Sequence, residues 1–174
     1  MSKESNHYEQ SAIISAPPAE VFSYVDDHAN FSSHMNKSSW MMGGGKMETH
    51  VDVGKGKKVG SHIRMDGKVF GIEVSLDEVV TVHEPPLRKS WQTIGSPKLI
   101  VIGEYKMGLE VKPEDANSNL TVYIDYSLPE STKTRWMGQL FGGMYAKWCV
   151  GQMVNGTQNH FMNVEASEVD KYVK

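Results

Sequence analysis

From Lys46 to Leu128 the chain alternates apolar with polar positions in short runs, and from Thr134 to Met162 the apolar spacing changes to three and four. The first pattern is that of half-buried strands, the second that of a helix. Ile63, Met65, Gly67 and Val69 alternate with His62, Arg64, Asp66 and Lys68. Ile72, Val74 and Leu76 alternate with Glu73, Ser75 and Asp77 in a strand that continues to about His83, with Val79-Val80 marking a bulge. Tyr105, Met107, Leu109 and Val111 share one face of a strand predicted over Lys98–Val111. Leu120, Val122, Ile124, Tyr126 and Leu128 share one face of the last. Met47–Val53, Arg88–Gly95 with Trp91, and an N-terminal Tyr8–Ile14 complete the set. The connections are short and built from Gly, Pro and polar residues, such as Gly54-Lys-Gly-Lys-Lys-Val-Gly60 and Glu84-Pro85-Pro86.

Helical segments bracket the strands. Pro17-Pro18 opens a short helix with Val21, Phe22 and Val25 on its buried side, because proline costs nothing in a first turn. Asp26 or Asp27 caps a second short helix to about Ser33, and Asn36–Gly45 is loop. The proline-free stretch Thr134–Met162 places Met137, Leu140, Phe141, Met144 and Trp148 on one face. At about 1.5 Å per residue it runs on the order of 40 Å. Short turns force antiparallel neighbours, and one-sided alternation means one covered sheet face. Only the final helix is long enough to cover it. The expectation is an α+β domain: a strongly curved antiparallel sheet of about seven strands around a long C-terminal helix, with a pocket between them. One domain spans 8–162, residues 1–7 are a flexible start, and 163–174 are a loose tail.

Composition narrows the function classes. At 174 residues, 22% charged and 39% hydrophobic, the chain reads as one ordinary globular domain. A net charge of −3 without a basic stripe argues against nucleic acid. No run reaches the ~18 apolar residues of a membrane span, and the polar N-terminus lacks the apolar centre of a signal peptide. The single Cys149 excludes an internal disulfide and suits a reducing compartment, so the expected location is cytoplasmic. Asn-X-Ser/Thr triplets at Asn30, Asn36, Asn119 and Asn155 then read as chance.

The segments Ile13-Ile-Ser-Ala-Pro-Pro-Ala-Glu-Val-Phe-Ser-Tyr-Val, Val82-His-Glu-Pro-Pro-Leu-Arg-Lys-Ser-Trp and Leu128-Pro, in this order of elements, resemble the START/Bet v 1-like (SRPBCC) superfamily. The polyketide cyclase/dehydrase-type branch is the most similar, over roughly residues 8–162. The resemblance implies the helix-grip fold. It leaves chemistry open, because that superfamily includes lipid carriers, hormone receptors and aromatase/cyclases.

Few residue sets carry candidate chemistry. No Gly-X-Ser-X-Gly elbow occurs, and Cys149 has no histidine near it in sequence, so it reads as an inert thiol. The seven histidines are scattered without metal-ligand spacing, although His28 and His34, six apart around a short helix, could approach each other. No metal or cofactor is expected. The lysines between Gly54 and Gly60 fit no phosphate-loop spacing and read as a solvated turn. Met65, Trp91, Tyr105, Tyr126, Met137, Phe141, Met144 and Trp148 are the expected ligand-binding set, since thioethers and rings suit apolar ligands. Arg64 and Asp66 fall on the solvent parity. Glu78 falls on the apolar parity of Val74 and Leu76, unless a bulge turns it out. Buried, it would have a raised pKa and join Tyr126 as a catalytic candidate.

Opposite the Met137–Trp148 face run Gly138, Gly142, Ala146, Cys149 and Met153. Small residues let another backbone approach, which points either to cover by the N-terminal helices or tail, or to a two-fold homodimer through Gly138, Gly142, Ala146 and Cys149. The favoured function is binding of a hydrophobic small molecule between sheet and helix. The alternatives are a cyclase or dehydratase using polar cavity groups, and an interaction protein whose cavity has collapsed.

Overall fold

The structure, a computed structural model, describes residues 5–27 and 46–172. The second short helix, the Asn36–Gly45 loop and the His28/His34 pair fall outside the described residues. Seven strands, β1 (Asn6–Ile14), β2 (Lys46–Val51), β3 (His62–Val69), β4 (Ile72–Glu84), β5 (Arg88–Lys98), β6 (Tyr105–Glu114) and β7 (Asn117–Tyr126), form one antiparallel sheet in the order β1-β7-β6-β5-β4-β3-β2. Helix α1 (Pro18–Asp26) follows β1, and helix α2 (Thr132–Tyr172) ends the described chain. This is the helix-grip architecture, with the core between the sheet and the two helices.

Alternation places the core. Ile63 and Met65, Val74, Leu76 and Val80, Leu109 and Val111, and Leu120, Val122 and Ile124 are all buried on one side. The other side is polar: Arg64 is exposed and reaches Asp77 across β3–β4 at 3.3 Å, and Asp66 lies 3.4 Å from His50. The bulge predicted at Val79-Val80 sits one step later, between Val80 and Val82, so Glu78 keeps its inward parity. The Gly54–Gly60 segment is a turn, tied by Asp52, whose side chain accepts from the Gly54 and His62 amides at 2.9 Å and from the Ser61 hydroxyl.

Three boundaries differ from expectation. Residues 6 and 7 pair with Tyr126 and Asp125 and belong to β1 rather than to a flexible start. The strand predicted over Lys98–Val111 begins only at Tyr105. The run Leu99-Ile-Val-Ile102 is apolar on both parities, and it packs under α2 instead of entering the ladder. The tail after Asn163 continues α2 to Tyr172 as helix, with residues 163–167 exposed.

The larger correction concerns the rotation of α2. Gly138, Gly142, Ala146, Cys149, Val150, Met153 and Val154 are buried against the molecule's own sheet side, whereas Trp136, Leu140, Phe141 and Met144 face solvent. A Cβ on Gly138 would lie 2.5 Å from Pro129 Cδ, and one on Gly142 would lie 3.0 Å from the Val101 carbonyl oxygen. The helix therefore sits against Pro129 and the Val101 carbonyl too closely for a side chain at Gly138, and tightly enough at Gly142 that a Cβ would force the neighbour to shift. Glycines that cost up to about 1 kcal/mol each in helix propensity are retained for that approach. The four residues of the expected homodimer surface, Gly138, Gly142, Ala146 and Cys149, are accordingly buried within the chain's own fold.

Two devices hold the helices. The second half of α2 packs on α1, where Tyr24 stacks on His160 at 4.0 Å between ring centroids and meets Phe161 edge-on. The C-terminus of α1 is pinned by Lys89, which is 1% exposed and donates to the Asp26 carbonyl at 2.9 Å and carboxylate at 2.8 Å. His83 Nε2 lies 3.0 Å from the same carboxylate oxygen. Burial works to raise the Asp26 carboxyl. Lys89 and then His83 outweigh it and hold Asp26 below the usual carboxylate range.

Candidate functional site

The concave side of the sheet and α2 enclose a small space of about 30 Å³. Met65 from β3, Glu78 from β4, Trp91 from β5, Tyr105 and Met107 from β6 and Ile124 from β7 supply the sheet wall. Ile102 adds to the lining, and Tyr145, Cys149 and Met153 come from α2. Strand parity puts each sheet residue there, since all lie on the inward alternation. Tyr145, Cys149 and Met153 follow at helical spacing on the small-residue face.

Glu78 is the chemical centre of this space. It is 1% exposed, and the Tyr105 hydroxyl donates to its Oε1 at 2.5 Å. Burial raises its carboxyl to about 7, against the opposing hydrogen bonds of Tyr105 and the Trp91 indole. Near neutrality the group is therefore divided between a neutral acid, which can donate, and a carboxylate, which can only accept. Burial also pushes Tyr105 well up, and the neighbouring Glu78 charge adds to it. Tyr145 is raised by burial and by the nearby Cys149 and Glu78. Burial, then Glu78, pushes the Cys149 thiol up to about 12. At neutral pH that sulfur is a protonated thiol and a poor nucleophile.

A wider, open cleft of about 310 Å³ lies beside the cavity, lined by Thr93, Glu104, Lys106, Asp125, Tyr126 and others. Tyr105 lines both spaces.

Of the eight residues expected to bind ligand, Met65, Trp91 and Tyr105 meet in the cavity. Tyr126, 6% exposed, lies against α2 at Gly142 and in the outer cleft, not beside Glu78. Met137 and Trp148 are half-buried outside the cavity lining, Trp148 tilted on Tyr145 at 5.8 Å. Phe141 and Met144 are 41% and 47% exposed on the far side of the helix. Ile102, Met107, Ile124, Tyr145, Cys149 and Met153 were not among the eight. Met107 and Ile124 were already legible as inward by alternation, while the three from α2 required its true rotation. Among the described residues no group of three His, Cys, Asp or Glu could hold a metal ion.

Residues 6–159 match the family described as polyketide cyclase / dehydrase and lipid transport. The chain belongs to that family. No curated protein matches the sequence significantly. Solved structures share the fold at low identity. The aromatase/cyclase Zhui from Streptomyces sp. R1128 is 12% identical, with a TM-score of 0.63 over 91% of this chain and 94% of that one. Norcoclaurine synthase from Thalictrum flavum is 13% identical, with a TM-score of 0.63 over 92% and 88%. The protein TTHA0849 from Thermus thermophilus is 13% identical, with a TM-score of 0.62 over 91% and 99%. At such identities these likenesses carry the fold alone. Within the polyketide cyclase / dehydrase and lipid transport family, the reading of this member rests on its own cavity. No helix among the described residues is long and apolar enough to cross a membrane.

Proposed function

We propose that this protein binds a small, mainly apolar molecule between sheet and α2, with one carbonyl or hydroxyl group of the ligand hydrogen-bonded at Glu78 and Tyr105. The observation that carries this reading is the placement of a carboxyl, 1% exposed, among Met65, Met107, Met153 and Trp91. A core that served packing alone would gain stability from an apolar residue there, because burying an ionisable group costs free energy. A perturbed carboxyl inside a cavity instead marks a site. At about 30 Å³ the space holds no more than a water or two, so the ligand enters by displacing side chains. Three methionines on its walls are suited to that, being unbranched and able to repack.

The reading is tested by calorimetric titration with 2-naphthol and with naphthalene, which differ by the hydroxyl. Saturable one-to-one binding, with 2-naphthol preferred by about tenfold or more, is expected for a single buried hydrogen bond to a charged or charge-sharing group. Glu78→Leu should erase the preference while leaving the naphthalene affinity. Non-saturating uptake of both compounds would remove the reading in favour of a collapsed cavity.

A second reading, the cyclase or dehydratase class, is favoured by the carboxyl raised to about 7 beside a tyrosine donor. An acid poised near the working pH is suited to proton transfer at a carbon next to a carbonyl. 2-Tetralone in deuterated buffer tests it. Catalysed exchange of its C1 protons, abolished by Glu78→Gln, is the expected result for an enzyme. A rate equal to buffer would leave binding alone.

A further inference from the structure

The outward face of the first half of α2 carries Trp136, Leu140 and Met144 one turn apart, with Phe141 beside them, at 55%, 66%, 47% and 41% exposure. Solvent-facing positions of a helix laid on a sheet ordinarily carry charge. Here they are apolar, and none of the four lines the cavity. The electrostatics of the same stretch are one-sided. From residue 131 to residue 164 there is no Asp or Glu, and the only charged residues are Lys133, Arg135 and Lys147. The remainder of the chain carries fifteen Lys and Arg against all 21 Asp and Glu. Arg135 and Lys147, both exposed, stand near the two ends of the apolar stripe.

We infer that this face docks on an anionic lipid bilayer. A tryptophan with neighbouring Leu, Phe and Met inserts into the boundary between headgroups and acyl chains, and flanking cations meet acidic headgroups. The acidic remainder of the protein is repelled by the same surface and turns α2 toward it. A second copy of the chain fits less well. Four partly exposed side chains fall short of the roughly 800 Å² per partner that a stable pair needs, and a two-fold axis through the stripe would bring like charges together. This inference does not depend on what the cavity holds.

The test is flotation of the full chain with vesicles of equal parts phosphatidylglycerol and phosphatidylcholine, and with phosphatidylcholine vesicles, at low and high salt. Binding to the mixed vesicles, weaker by about tenfold on phosphatidylcholine and reduced by salt, is expected. The Trp136→Ser/Leu140→Gln double variant should bind at least about tenfold less with an unchanged melting temperature. Lys147→Glu should narrow the difference between the two vesicle types. Absence of flotation with the mixed vesicles, or equal flotation of the double variant, would overturn the inference. So would a dimer mass in light scattering that the double variant converts to monomer, which would assign the stripe to a second copy.

Discussion

Replacing Asp26 by alanine is expected to lower stability by about 3 kcal/mol, the lower end of the range for breaking a buried ion pair. The cost arises on the partner. Lys89 is 1% exposed, and without the carboxylate its ammonium keeps, among the described residues, the backbone carbonyl of residue 26 as its acceptor. That retained hydrogen bond is why the upper end of the range is not reached. Asp26→Asn, which keeps an oxygen in place, should cost less, and Lys89→Met in the Asp26→Ala background should restore most of the loss. Urea unfolding of these four proteins and of the Lys89→Met single variant at neutral pH provides the cycle. If Asp26→Ala alone were within about 0.5 kcal/mol of the parent, as exposed ion pairs are, the pin on α1 would carry no stability.

Glu78→Gln is expected to stabilise the protein by about 3 kcal/mol above pH 8 and to be nearly neutral at pH 4 to 5. The sign follows from linkage. The folded value of about 7 lies above the ordinary 4.5, so between those values the folded chain holds a proton that the unfolded chain has released. Stability from the neutral carboxyl is fully present below pH 4.5 and is lost as pH rises through 7. Beyond that the cavity contains a buried anion, at about 1.4 kcal/mol for each pH unit separating the two values. Glutamine keeps the shape and an acceptor for Tyr105 but never ionises. Denaturant unfolding at pH 5 and pH 8.5, with the variant subtracted from the parent at each pH, isolates this one group. An unchanged difference between the two pH values would mean that Glu78 ionises normally and is solvated.

Both predictions concern charged residues on inward strand positions, and the two were not equally legible in the sequence. Glu78 was legible because Val74 and Leu76 set its parity. Lys89 shares the parity of Trp91 by the same rule, yet within the predicted Arg88–Gly95 strand it was not singled out, because lysine is ordinarily exposed. Its partner lies 63 residues away in sequence, where no local pattern connects the two.

Most of the fold was legible from period alone: seven strands, antiparallel pairing of those joined by short turns and a covering helix follow from alternation, whereas the pairing of β1 with β7 does not. What period could not supply was the rotation of α2. Apolar residues occupy both of its sides, and bulk suggested that Leu140, Phe141 and Met144 faced the sheet. The close approach of α2 to Val101 and Pro129 instead relies on the absence of side chains at Gly138 and Gly142. The glycines were recognised as a close-packing signal but assigned to the wrong surface. Each helix residue expected in the pocket but found outside it follows from that single turn, and so does the burial of Gly138, Gly142, Ala146 and Cys149.

The central claim is that an apolar ligand with one polar group enters the chamber around Glu78, and methyl-labelled methionine spectra locate it most directly. On titration with 2-naphthol, the resonances of Met65, Met107 and Met153, which line the chamber, should shift saturably together. Those of the exposed Met144 and Met162 should stay in place. Shifts confined to Met144 and Met162, or no saturable shift at the three inner methyls, would contradict the account.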